Sequence, residues 1–251
     1  RIGCSVSGVA QFITKNGLGE LKDWLEDGYD VIKEWDTKYS DWFAVPRSIK
    51  TTSVKPSGTV SLLAGATPGL HYPESRFYIR RIRLSKHSEL IEPMKKAGYK
   101  IEPAFGSEDT TSVVEVPVDV GEGIRTASEL SIWEQFSLAA FMQRHWADNQ
   151  VSCTVTFNPE TEGDEISHVL NYFQYHLKGI SLLPRHDYGA YKQMPYESID
   201  ENEYKKQVSK LSKLSFGVIK NEEAEIDKFC NNDSCEVPSL TGDNDDQEYA
   251  N

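Results

Sequence analysis

Residues 53–74 read SVKPSGTVSLLAGATPGLHYPE, and the way this stretch is parsed decides the fold. Residues 49–54 have the β-branched and hydroxyl composition of a short strand. Pro56 and Gly58 then turn the chain, and TVSLLAG at 59–65 suits a helix. Strand, turn and helix in that order form the basic unit of an α/β protein. Ser57, Thr59 and Ser61 are placed to cap the first helical turn, and such a turn aims free backbone N–H groups at whatever lies in front of it. A helix N-terminus of this make suits an anion, with phosphate the usual occupant, but an ordinary capped helix reads the same way. The motif is not a P-loop, because the GxxxxGK[ST] spacing is absent.

Working outward, apolar periodicity predicts helices at 7–14 and 18–43, the second long and amphipathic. Residues 76–85 (RFYIRRIRLS) read as a strand with a change of parity and a bulge near Arg80 and Arg81. A short helix at 87–98 with Gly98 as its cap, a strand at 112–118 and a helix at 128–147 opened by SELS follow. Strands at 151–157 and 179–183 enclose a helix at 164–177, and a charged helix at 201–211 comes last. This alternation favours parallel strands joined by crossover helices, as part of an α/β barrel or an open α/β sheet. No internal repeat is present.

With 251 residues, 38% of them apolar, the chain can build a sizeable core. It has no apolar run long enough to span a bilayer and no secretory leader, so a cytoplasmic protein is expected. The first residue is Arg1, which suggests a processed product or a piece of something longer. Residues 221–251 hold ten acids against Lys228, a charge of −9 out of −12, so the other 220 residues carry only −3. The body therefore has no electrostatic footprint for nucleic acid or an anionic membrane, and residues from Glu222 onward read as a mobile acidic tail.

Thr67-Pro68-Gly69 is a tight-turn signature, and His71 beside it reads as a hydrogen-bonded loop residue or as an acid–base group. Arg76, Arg80, Arg81 and Arg83 either assist in holding phosphate or pair with the chain's own carboxylates. Cys153 alternates with Val151, Val155 and Phe157 and reads as a buried small residue. In FCNNDSCE at 229–236, Cys230 and Cys235 are separated by turn-forming residues and can close a small disulfide ring, which suits thiol–disulfide exchange. No His, Cys or acidic cluster has metal-ligand spacing, so no metal site is expected.

Four segments together, KPSGTVSLLAGATPGLHYPESRFYIRR at 55–81, WADNQVSCTVTF at 146–157, KGISLLP at 178–184 and the CxxxxC pair, resemble the adenosylcobalamin-dependent (class II) ribonucleotide reductases, of the monomeric ribonucleoside-triphosphate type. The resemblance runs from Arg1 to about Cys235. It implies the C-terminal part of a ten-stranded α/β barrel over 1–220, with a tail at 221–251 carrying a redox pair. It also implies that Ser57, Gly58, Thr59, Val60 and Ser61 bind the phosphates of a ribonucleoside triphosphate. Cobalamin homolysis in that family yields a thiyl radical that attacks the ribose, and an active-site cysteine pair ends as a disulfide. Cys230 and Cys235 would re-reduce that disulfide and pass the oxidation to thioredoxin. The family's NPCGE finger-loop motif, which carries the radical cysteine, does not occur in these residues. The chain alone is therefore expected to be inactive without the N-terminal part of the reductase. The other readings are a non-catalytic phosphate-binding or barrel-completing piece, or a part of another reductase class.

Overall fold

A computed structural model describes residues 3–57, 61, 64–185 and 192–215. The chain divides into two compact units, one built from Arg1–Ile79, Pro117–Lys192 and Tyr196–Ser209, the other from Arg80–Val116, Gln193–Pro195 and Lys210–Asn251.

The first unit is a set of parallel strands backed by helices. Strand β1 (Cys4–Ser5) leads into helix α1 (Val9–Phe43), which returns the chain to β2 (Thr52–Ser53), parallel to β1. After α1 the expected strand at 49–54 is shorter, and Val54 continues it by a parallel bridge to Val151. From there β6 (Thr154–Phe157) pairs in parallel with β7 (Ser181–Pro184). The parallel order expected from the helix–strand alternation is present in this unit.

Between them, helix α3 (Ile132–His145) lays Ile132, Phe136, Ala139 and Met142 on one face, all buried. That face meets Val151, Cys153, Val155 and Phe157, the buried alternate residues of the β6 segment, and Val169 and Phe173 of α5 (Ile166–Phe173), which follows the short helix α4 (Pro159–Glu162). Phe136 is 1% exposed, and truncating such a ring typically costs about 3–5 kcal/mol. The helix starts four residues later than the expected 128. Ser131 takes the N-cap, its Oγ accepting from the Glu134 N–H while Glu134 accepts from the Ser131 N–H at 3.0 Å. Thr126 and Glu129 make a second box around a single 3-10 turn, Ala127–Glu129.

Helix α1 joins the two predicted helices into one element, broken at Gly17, whose φ of 84° and ψ of 166° no helical residue adopts. Leu21 and Leu25 face the core, while Trp24, Val31, Trp35 and Trp42 form a second, exposed apolar stripe. Asp148 ties α1 to the amino-terminal end of β2. Its carboxylate accepts from Tyr29 Oη at 2.7 Å, Lys33 Nζ at 2.7 Å and the Thr51 N–H at 2.9 Å. Burial would raise this carboxyl, but those hydrogen bonds outweigh it and hold it well below the usual carboxylate range.

The second unit departs from the expected parallel order. Strands β4 (Lys100–Pro103) and β5 (Thr111–Asp119) are antiparallel, with Lys100 opposite Glu115. The seven residues 104–110 between them are too few for a parallel crossover, which takes a dozen or more. Within this unit the carboxylate of Glu115, 5% exposed, lies 2.9 Å from Arg81 and 3.0 Å from Lys100. Helix α2 (Ile91–Lys96) ends as expected at Gly98, which has a φ of +93°. Strand β3 (Phe77–Ser85) runs unbroken, and β8 spans Tyr196–Ser198. Phe77 to Arg80 are all buried, and Ile82 is exposed, so the predicted shift of parity does not describe it. Helix α6 (Glu201–Val208) is the charged helix expected near the end.

Candidate functional site

At the carboxyl end of β2 the chain leaves the sheet as the turn singled out in the sequence. The carboxyl ends of parallel strands are where α/β proteins bind ligands, because the crossover loops there are free of the sheet. The Lys55 N–H donates to Ser5 Oγ at 3.0 Å, holding the exit of β2 beside β1. Ser57 follows with a φ of 49°, in the left-handed region that a serine rarely occupies. The Ser61 hydroxyl donates to the Ser57 carbonyl, and Ser61 is itself buried. Two of the five phosphate-turn residues are thus brought together by one hydrogen bond. Gly58, Thr59 and Val60 lie outside the described residues, as do Cys230 and Cys235.

The returning half of the turn is clamped by the start of α1. Gln11 donates its amide to the Gly65 carbonyl at 2.9 Å and accepts from the Thr67 N–H at 2.8 Å. The Gly8 N–H donates to the Thr67 carbonyl at 2.8 Å, and Ser7 Oγ accepts from the Gly69 N–H at 3.3 Å. Gly69, at a φ of +51°, passes so close to the outgoing strand that a Cβ there would sit 2.5 Å from the Lys55 carbonyl oxygen. Both halves of the turn are therefore in backbone contact. From the sequence, Ser7, Gly8 and Gln11 read only as part of a helix at 7–14, since contacts across more than fifty residues leave no periodic trace in a sequence.

His71 sits beneath this turn. Its Nδ1 lies 3.2 Å from the Pro68 carbonyl, and its Nε2 accepts from the Thr154 N–H at 3.2 Å. Burial pushes its pKa below 6.5, only partly offset by the Pro68 carbonyl. Both ring nitrogens are occupied, so of the two readings the hydrogen-bonded loop residue holds. One turn of strand further on, the Gln135 amide donates to the Thr156 carbonyl at 2.7 Å and accepts from the Thr156 N–H at 3.0 Å. His71 and Gln135 thus satisfy the edge of β6 that faces away from β7, where β2 has given out.

Arg76 pairs with Asp119 at 3.2 Å and with Glu122, and Arg81 pairs with Glu115, so these two arginines serve the chain's own carboxylates. The Cys153 thiol is buried, and that burial pushes its pKa up to about 12, which keeps it unreactive. Cys4 is exposed on β1. A cleft of about 560 Å³ between α1 and the end of α3 is lined by Glu26, Tyr29, His145, Asp148 and Lys178 among others. Within the lining Glu26 pairs with His145 at 2.7 Å, and Asp148 is held by Lys33 and by the Thr51 N–H ahead of β2.

No family model matches the chain. Over 243 residues, 95% of its length, it is 56% identical to a probable adenosylcobalamin-dependent ribonucleoside-triphosphate reductase of Dictyostelium discoideum, of which it covers 32%. The chain is similar to one third of such a reductase. To the adenosylcobalamin-dependent ribonucleoside-triphosphate reductase of Euglena gracilis it is 54% identical, covering 94% of the chain and 33% of that protein. A crystal structure of a B12-dependent (class II) ribonucleotide reductase superposes with a TM-score of 0.74 at 33% identity, over 84% of this chain and 33% of that one. The chain spans about a third of the length of the reductases it matches, and the mixed α/β architecture is shared with the class II enzyme.

Proposed function

We propose that this chain is the C-terminal part of an adenosylcobalamin-dependent ribonucleoside-triphosphate reductase, acting in the reduction of ribonucleotides to deoxyribonucleotides. Residues 1–220 contribute to a ten-stranded α/β barrel, and residues 221–251 form an acidic tail with the dithiol. The observation that carries the reading is the position of the Lys55–Gly69 turn. It stands at the carboxyl end of a parallel strand, in a chain 95% of which aligns with such a reductase.

The turn from Ser57 to Ser61 then receives the substrate's phosphates. Its residues carry no charge, so backbone N–H groups and hydroxyls do the holding. The clamp by Ser7, Gly8 and Gln11 holds the returning half of the turn, at Gly65, Thr67 and Gly69, before substrate arrives, which lowers the ordering cost of binding. Adenosylcobalamin, held by the whole reductase, supplies the radical that starts the reaction. The neutral hydroxyl-rich turn fits phosphate, and no described residue of this chain is assigned to the corrin.

Cys230 and Cys235 act after the reaction by thiol–disulfide exchange. One tail thiolate attacks the active-site disulfide and the second displaces the mixed disulfide, leaving two active-site thiols and a Cys230–Cys235 disulfide. The dithiol of thioredoxin restores the tail pair, in a cytoplasm that keeps such thiols reduced.

Mixing this chain with the N-terminal part of a reductase, adenosylcobalamin and thioredoxin tests the assignment. Deoxyribonucleotide formation is expected from the mixture and not from this chain alone. Cys230→Ser and Cys235→Ser should each abolish multiple turnover with thioredoxin while sparing a single turnover. Steady-state activity retained in both variants would remove the tail from the mechanism.

A further inference from the structure

We infer that His71 is the positioning residue of the phosphate turn and that it works only as a neutral ring. The inference rests on the phosphate reading of that turn, which it deepens by naming what fixes the turn on the sheet. Beyond Val54, β2 no longer pairs with the β6 segment, so the Thr154 N–H loses its strand partner. His71 Nε2 takes that proton instead, and Nδ1–H donates to the Pro68 carbonyl on the ring's other side. One imidazole therefore bridges a strand of the sheet to the returning half of the turn. Pro68 leads directly into Gly69, whose backbone lies against the Lys55 and Pro56 carbonyls, one residue before Ser57. The path Thr154, His71, Pro68–Gly69, Lys55–Pro56, Ser57 contains only hydrogen bonds and close backbone packing, with the His71 ring, held at both nitrogens, as its one side chain.

This geometry assigns the tautomer. Nε2 must keep its lone pair to accept from Thr154, so the proton sits on Nδ1. A second proton would set Nε2–H against the Thr154 N–H and break the bridge. Among the described residues, burial and the Pro68 carbonyl are the influences that act on the ring, and no charged side chain faces it to stabilise an imidazolium. The folded protein thus binds this proton less readily than the unfolded chain. The bridge is complete above pH 6.5, and its contribution to stability declines as the pH falls from 6.5 toward the lowered folded value.

The test uses the full chain. Nitrogen-resolved NMR of the His71 ring should show the Nδ1–H tautomer persisting below pH 6.5, and the Thr154 and Gly69 amide signals should move together when the ring finally protonates. Inorganic triphosphate is then titrated into wild type, His71→Leu and His71→Gln. The expected result is binding weakened roughly tenfold in His71→Leu, the scale of one or two net hydrogen bonds, with partial recovery in His71→Gln, whose side-chain oxygen can accept from Thr154. Equal binding by wild type and His71→Leu overturns the inference. If wild type does not bind triphosphate, the phosphate reading fails, and the positioning role is decided by hydrogen exchange at Gly69: faster in His71→Leu supports it, unchanged overturns it. If His71→Leu does not fold, the wild-type pH titration decides, since Thr154 and Gly69 signals that titrate independently overturn it.

Discussion

Gly69 carries more of the site than its size suggests. Any side chain there meets two penalties at once: a left-handed φ of +51° and a Cβ 2.5 Å from the Lys55 carbonyl oxygen, a backbone atom that cannot rotate away. Gly69→Ala is therefore expected to destabilise the chain by roughly 1–3 kcal/mol and to shift the amide signals from Lys55 to Ser57. Denaturant unfolding and amide spectra check both; a variant with unchanged midpoint and spectra would show that the two halves of the turn are not in contact. The sequence marked Thr67-Pro68-Gly69 as a turn but not its contact with Lys55, because a tight-turn signature reports local dihedrals and says nothing of what crosses above them. Cys153 is the opposite case: its alternation with Val151 and Val155 already placed it inside.

Elements show where local signals suffice and where they mislead. Helix α3 was legible from its apolar spacing, yet its start was placed at the first serine of SELS when the second is the cap. The capping box decides, since only Ser131 has Glu134 three residues on and followed by the buried face of the helix. Glu134 also pairs with Arg125 at 2.7 Å, and these partners hold its carboxyl down to about 2. Ser131→Ala should cost about 1 kcal/mol. For a chain of this size that lowers the melting temperature by about 2–4 °C, readable by calorimetry. A lowered carboxyl pKa stabilises the fold above its unfolded value of 4.5 and loses that contribution as the pH falls from 4.5 to about 2. Strand β4 escaped notice for a plain reason: KIEP has one apolar residue, and its order comes from pairing with β5.

At the scale of the whole molecule, α1 carries a second apolar stripe that the described residues leave exposed. Trp42 is 70% exposed, and Trp35 and Trp42 both pack against Tyr39, Trp42 edge-on, with ring centroids 5.3 and 5.5 Å away. Contiguous exposed aromatics of this kind mark surfaces that other protein covers, and the matching reductases are three times longer than this chain. Trp42→Ser is expected to change the unfolding free energy of the isolated chain by no more than about 0.5 kcal/mol, as for an uncovered surface residue. A loss of about 2 kcal/mol in denaturant unfolding would mean that this chain covers the ring itself.

The sequence by itself determined the α/β class, the helices with strong apolar periodicity, the buried setting of Cys153 and, through its long specific motifs, the kinship with class II reductases. These are local or linear properties: a period of burial, a cap, or a distinctive run of residues. Only the tertiary structure decided that β4 and β5 run antiparallel, that the start of α1 clamps the turn, and that His71 spends both nitrogens joining Pro68 to Thr154. Each of those depends on which backbone groups are left unpaired when strands of unequal length end at different heights. That is a property of the assembled sheet, and no single stretch of the chain encodes it.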